Sequence, residues 1–325
     1  MLCGAGGPAS ARARLVAVWR CSFCLCLLLG GCLGLRDFPS EAIVDSPRVL
    51  AVVVDPPEVT PGASVAVTPL VAHASEVEVE YRVCGTFDGP VGGAAQFGEM
   101  DQEDCGEGAL LRGSGPTWNV QAELIEALWR SPELSQTILG GTLPPEAVDI
   151  VRTSVGLPVL VELTIQADGE ELRAVKRVLM SENPAPHKNP PPPHFKFGGI
   201  EVKGDPELPW TCTAAEPLRV TAGADVEIVP ATEDGREPWL ERYRVIDAFG
   251  KTEERSERAY YSWFASAGHF ESHSTRSPLR NQVWTAPNEG GRPAQLWLVV
   301  RDGHGGTSAC RWDVDVEAAG KPRTL

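Results

Sequence analysis

In Val77-Glu78-Val79-Glu80-Tyr81-Arg82-Val83 every odd position is apolar and every even one charged. Side chains on a β-strand point to alternate faces, so only a strand lets this segment put one face on a core and the other in water. The same period returns near the C-terminus. There Cys310, Trp312, Val314 and Val316 share one face, and Arg311, Asp313 and Asp315 share the other. Pro and Gly, at 28 and 33 of 325 residues, supply the turns that short strands need. The expected fold class is mainly β, built as sandwiches of short strands.

The chain carries signs of an internal repeat. Val59-Thr60-Pro61-Gly62-Ala63-Ser64-Val65-Ala66-Val67-Thr68-Pro69 aligns with Val220-Thr221-Ala222-Gly223-Ala224-Asp225-Val226-Glu227-Ile228-Val229-Pro230, with six of eleven positions identical. Each copy predicts a kinked edge strand, a Gly turn and an alternating strand. Later in each half an apolar run meets Asp-Gly, at Asp168-Gly169 and at Asp302-Gly303. Asp-Gly between β-rich runs signals a hairpin. Between the halves lies a Pro-rich stretch containing Pro190-Pro191-Pro192-Pro193, expected as an extended, semi-rigid spacer. The expected domains are residues 47–182 and 198–318, joined by a linker over 183–197 and followed by a tail over 319–325. Leu124, Ile125, Leu128 and Trp129 recur at helical spacing, and a second helix is expected from Pro145 to about Ser154. Residues 121–155 are therefore a small helical insertion in the first domain, either a cap over one end of its core or a lid over a binding cleft.

Residues 1–31 have the pattern of an export signal: Arg12, Arg14 and Arg20 without an acid, then an apolar run from Cys21 to Leu29. That run is too short to span a bilayer, which takes about 20 residues. Leu29-Gly30-Gly31-Cys32 resembles a bacterial lipobox, which implies lipidation of Cys32 and a short tether over 32–46. Two or more acyl chains anchor a protein stably. Leu33, rather than Asp, follows Cys32, which favours the outer membrane. Removing the three leader arginines leaves 26 basic against 44 acidic residues, a net charge of −18. Such a chain is repelled by phosphate backbones and anionic lipid surfaces, so nucleic acid is not an expected partner and attachment must come from the lipid.

Cys84, Cys105, Cys212 and Cys310 remain after the leader. Four cysteines outside the cytoplasm point to two disulfides. Cys84 and Cys105 flank an acidic, Gly-rich loop that cannot fold by burial, and a bridge between them would staple it.

Arg48-Val49-Leu50-Ala51-Val52 with Asp55-Pro56-Pro57-Glu58-Val59 and Pro61-Gly62 resembles the opening of uncharacterised lipoproteins of myxobacterial type. Tyr260-Tyr261-Ser262-Trp263-Phe264-Ala265 and Val299-Val300-Arg301-Asp302-Gly303-His304 resemble strands of PKD or cadherin-like domains, without their usual Asp-rich turn after the Trp strand. The resemblance implies two immunoglobulin-like β-sandwich domains in tandem, with a structural or adhesive role. In such sandwiches the first and last strands are neighbours, which brings Cys212 within reach of Cys310.

No catalytic set and no cofactor are expected. His269 and His273 have metalloprotease spacing, but Phe270 stands where that chemistry needs Glu. His73, His187, His194 and His304 are scattered along the chain. There is no nucleophile elbow and no phosphate-binding Gly-rich loop. Asp302, Asp313 and Asp315 could offer oxygen ligands to calcium, or be a hairpin residue and two solvated acids. Trp239, Tyr243, Trp263, Trp284, Trp297 and Trp312 crowd the second half, as sugar platforms or as core. The expected partners are other envelope proteins, through a structural or adhesive role, or surface glycans or peptides.

Overall fold

The computed structural model describes residues 41–86, 109–131, 145–205, 210–231, 237–246 and 251–319. Cys32, the leader and Cys105 lie outside the described residues. The first half runs β1 (Arg48–Asp55), β2 (Glu58–Val59), β3 (Val65–Ala72), β4 (Val77–Thr86), β5 (Leu111–Ser114) and β6 (Trp118–Val120). Helices α1 (Ala122–Trp129) and α2 (Pro145–Ile150) follow, the second continued by a π-helical turn (Val151–Val155). Strands β7 (Leu157–Ala167) and β8 (Glu170–Met180) close the half.

Strands β1-β3-β6 form one sheet and β2-β8-β7-β4-β5 the other. Val54, Val67 and Trp118 from the first meet Tyr81, Leu163 and Ile165 from the second in one core. The alternation read at Val77–Val83 is kept: Val79, Tyr81 and Val83 are buried. Ile125, Leu128 and Trp129 of α1, with Val151 and Val155 of the π turn, join the same core, so the described helices cap it. Leu124, expected on the same helix face, is exposed.

The second half runs β9 (His194–Phe197), β10 (Ile200–Gly204), β11 (Trp210–Ala214), β12 (Arg219–Thr221), β13 (Asp225–Pro230), β14 (Arg242–Ile246) and β15 (Thr252–Ser256). It continues with β16 (Tyr260–Ala265), β17 (His269–Phe270), β18 (Ser274–Arg276), β19 (Gln282–Thr285), β20 (Pro293–Arg301) and β21 (Thr307–Glu317). A sheet ordered β17-β19-β13-β9-β10-β11-β21-β20-β16-β18 folds over on itself. Phe195, Phe197 and Trp284 from one face pack with Trp263, Leu298 and Trp312 from the other. Strand β11 is the corner, antiparallel to β10 and parallel to β21. Cys212 on β11 and Cys310 on β21 form a disulfide there, with Cα atoms 5.2 Å apart.

The two repeat copies adopt one arrangement. In each, a short strand pairs in parallel with the last strand of its half: β2 with β8, and β12 with β21. The chain then turns at Gly62 or Gly223, whose φ values of 82° and 75° suit a residue without Cβ. It crosses to the opposite sheet as β3 or β13. In each half a short strand ahead of the Gly turn thus lies beside the last strand.

The Asp-Gly signals resolve differently. Asp168-Gly169 is a two-residue hairpin turn, with Ala167 opposite Glu170. Asp302-Gly303 opens a five-residue loop, because Arg301 pairs with Thr307. Asp302 Oδ1 accepts hydrogen bonds from the N–H groups of His304, Gly305 and Gly306, which favours the longer loop over a tight turn.

The stretch expected as a spacer is packed. Its last residues, His194–Phe197, are β9, and Pro190 and Pro193 are buried. Asn189 donates to Val54 O in the first half at 2.8 Å and accepts from Thr307 N in the second at 2.9 Å. Proline has no N–H, so an asparagine that both donates and accepts does the joining. Lys176 donates across the same junction to Gly305 O and Thr307 Oγ1, and Arg301 to Leu50 O. A further apolar cluster sets Leu50, Ala51 and Leu70 of the first half against Trp297 and Val299 of the second. The end of the expected tether is packed too. Ala42 O accepts from Ala265 N, and Val44 N donates to Ala265 O. The described residues from Glu41 onward accordingly form one compact unit.

Candidate functional site

Where the halves meet, five side chains from three separated segments converge. His187 comes from the Pro-rich stretch. Glu241 and Glu257 flank the β14–β15 hairpin, and Asp302 and His304 come from the β20–β21 loop. His187 Nδ1 lies 2.8 Å from Glu241 Oε2 and 3.1 Å from Glu257 Oε1, and its Nε2 lies 2.9 Å from Asp302 Oδ2. Its backbone N–H donates to Glu58 Oε2 at 2.6 Å. Glu58 is itself buried and also accepts from Ser181 and Asn183. The Asp-Pro-Pro-Glu motif of the first half thus fixes the entry to the second.

His304 sits edge-on to His187, with ring centroids 4.9 Å apart, and Tyr243 stacks on its other face at 3.9 Å. Its Nδ1 is 3.7 Å from Glu257 Oε1. Neither atom has a hydrogen-bond partner among the described residues, and both are buried. One donor atom from each of His187, Glu257 and His304 lies within 4.8 Å of the others, so these three could hold a metal ion. A cleft of about 320 Å³, lined by Glu58, Asn183, His187, Glu241, Tyr243 and His304 among others, opens beside them.

The electrostatics follow from burial and proximity. Burial pulls the His187 imidazolium down, but the hydrogen bond and charge of Asp302, then Glu257 and Glu241, outweigh it and push it up to about 9. Burial pushes Glu257 up to about 7, and the Asp302 and Glu241 charges add to this. A hydrogen bond from the Glu241 backbone and the His187 charge pull the other way. Burial, then the charge on His187, take His304 down to about 3. One imidazole is held as a cation and its neighbour as a neutral ring. A carboxylate stands at each ring nitrogen of His187.

The calcium candidates do not converge. Asp302 is 1% exposed and bound to His187 and its own loop, while Asp313 and Asp315 lie on the solvent face of β21. At about 3.3 Å per residue, Asp313 stands roughly 20 Å along the strand from Thr307, beside which Asp302 sits. Trp263, Trp284, Trp297 and Trp312 are at most 3% exposed, so these four are core and cannot stack on a sugar. Trp239 and Tyr243 are partly buried. His269 and His273 are exposed, His269 on β17 and His273 just before β18, not on a helix. Cys84 is disulfide-bonded, and its expected partner Cys105 lies outside the described residues. The histidines that come together, His187 and His304, are 117 positions apart, and nothing in their spacing links them. The one local sign was a histidine directly after the second Asp-Gly.

No protein-family model matches the chain, and no curated protein does. Solved structures give remote likenesses. One is a chain of the complex of Dpr2 Ig1-Ig2 with DIP-Theta Ig1-Ig3, at 7% identity and TM-score 0.18, covering 84% of this chain and 67% of that one. Another is the Bacteroides ovatus mixed-linkage glucan utilization locus SGBP-B bound to a mixed-linkage heptasaccharide, at 9% and 0.18, covering 85% and 71%. A third is a Porphyromonas gingivalis W83 protein of unknown function, at 11% and 0.18, covering 83% and 99%. The fold assignment rests on the sheets described above.

Proposed function

We propose that the chain is a non-enzymatic cell-envelope lipoprotein, anchored through Cys32, that presents a rigid two-lobed β-sandwich to other envelope proteins. The observation that carries this reading is the packed junction. Asn189, Lys176, Arg301 and His187 tie the lobes together, so the protein offers fixed geometry rather than the reach of modules on a flexible spacer. The Cys212–Cys310 bridge suits an oxidising compartment outside the cytoplasm. The net charge of −18 after the leader favours lipid over electrostatic attachment.

Cross-linking in intact envelopes, followed by capture of the anchored protein, tests the role. The expected result is a reproducible protein partner, together with loss of detergent partitioning in Cys32→Ser. Unchanged partitioning of that variant, or turnover of general esterase or peptidase substrates, would overturn the reading. A peptide- or glycan-binding role is the second reading. A cavity of about 510 Å³ favours it, lined by Trp239, Tyr261, Phe195 and Pro192 among others, a size within the range of small-ligand sites. Peptide and glycan arrays separate the two.

A further inference from the structure

We propose that His187, Glu257 and His304 bind a divalent transition-metal ion of the zinc class, with Glu241 at the open side and Asp302 orienting the His187 ring. The donor set comes first. Two imidazoles with one or two carboxylates suit zinc, whereas calcium and magnesium take all-oxygen shells. Two ligands each about 2.1 Å from a tetrahedral ion stand about 3.4 Å apart. Glu257 Oε1 has His187 Nδ1 at 3.1 Å and His304 Nδ1 at 3.7 Å, on either side of that value.

The second observation is independent of the cluster's composition. Glu257 Oε1 and His304 Nδ1 are buried without a hydrogen-bond partner among the described residues, and the Glu257 side chain is 1% exposed. Buried polar atoms are costly unless something takes them, and the hydrogen bond of His187 Nδ1 with Glu241 leaves both of these atoms unsatisfied. An ion between the three satisfies both atoms at once.

Third, the outer layer is that of a metal ligand. His187 directs Nδ1 at the cluster while Nε2 faces Asp302 Oδ2, and Asp302 is fixed through Oδ1 by three backbone N–H groups. A carboxylate on the far nitrogen is how ligating histidines are usually held. Glu241, 41% exposed at the cleft, leaves room for water or its own carboxylate as the fourth ligand. Three carboxylates, Glu241, Glu257 and Asp302, surround the site, and a dication offsets them. The ion would join the Pro-rich stretch, the β14–β15 hairpin and the β20–β21 loop.

The test uses the mature chain with its disulfides intact, stripped with a chelator and titrated with zinc chloride in a calorimeter. Thermal unfolding is recorded in parallel. The expected result is one equivalent of zinc per chain with a Kd of about 1 μM or tighter, and a raised unfolding temperature. Glu257→Gln, close in shape, and His304→Ala should each weaken binding about 10- to 100-fold. His194→Ala, whose ring pairs with Glu201 on the surface, should leave it unchanged. Absence of stoichiometric uptake by the folded wild type, or wild-type affinity in both Glu257→Gln and His304→Ala, would overturn the proposal.

Discussion

His187 and Asp302 are 115 residues apart in the chain and 2.9 Å apart in the fold, Nε2 to Oδ2. Both are nearly inaccessible to water, at 5% and 1% exposure. Removing one charge of a buried pair strands the other, so Asp302→Asn should cost about 3–5 kcal/mol. Urea denaturation of the purified chain gives the number. A loss below about 1 kcal/mol would mean that the pair contributes little to holding the halves together.

Lys176 sits in the junction, where burial takes its ammonium down to about 8 against partial support from Asp302. A depressed lysine contributes stability that is present above its ordinary value near 10.5 and is lost as pH falls through about 8. The stability of the wild type relative to Lys176→Met should therefore rise between pH 7 and pH 10, by about 1–3 kcal/mol. Parallel unfolding curves across that range would show no dependence if the group is solvated.

Gly306 is a site of close approach. A Cβ there would run into Asp302 Oδ2 and displace the loop that Asp302 gathers. Gly306→Ala should cost about 1–3 kcal/mol through overpacking. Gly62→Ala meets nothing within 4 Å and pays only for its left-handed backbone, about 1–2 kcal/mol. Adding Asp302→Ala, which removes the oxygen a Cβ would strike, to each variant separates the causes. The Gly306→Ala penalty should shrink in that background, and the Gly62→Ala penalty should not.

The Cys212–Cys310 bridge closes a loop of 98 residues. Replacing both cysteines by serine should lower stability by about 4–5 kcal/mol in the loop-entropy account. Denaturation with and without reductant provides the check, since the wild type and the double variant should unfold at the same midpoint once both are reduced.

The strands were legible because each half-buried one carries its own period, as Val77–Val83 and Cys310–Val316 do. The repeat was legible because Gly62 and Gly223 meet the same backbone demand. The candidate site was not. Its residues come from three segments, and their types are ordinary one at a time: a histidine among prolines, two glutamates at the ends of a hairpin, an aspartate after a strand. The spacer was misjudged for a related reason. Proline content describes how stiff a segment is, but not whether another surface covers it. Val54 and Thr307, which Asn189 joins, and Asp302, which His187 meets, each lie more than a hundred residues away.

The pairing of Ala42 and Val44 with Ala265 has a mechanical consequence. A pull arriving from the N-terminal side meets these residues before it reaches β1, and they grip β16 in the second lobe. Tension from an anchored N-terminus would therefore load the second lobe first, along a strand interior to its sheet, and would bypass the first sandwich until that grip gave way.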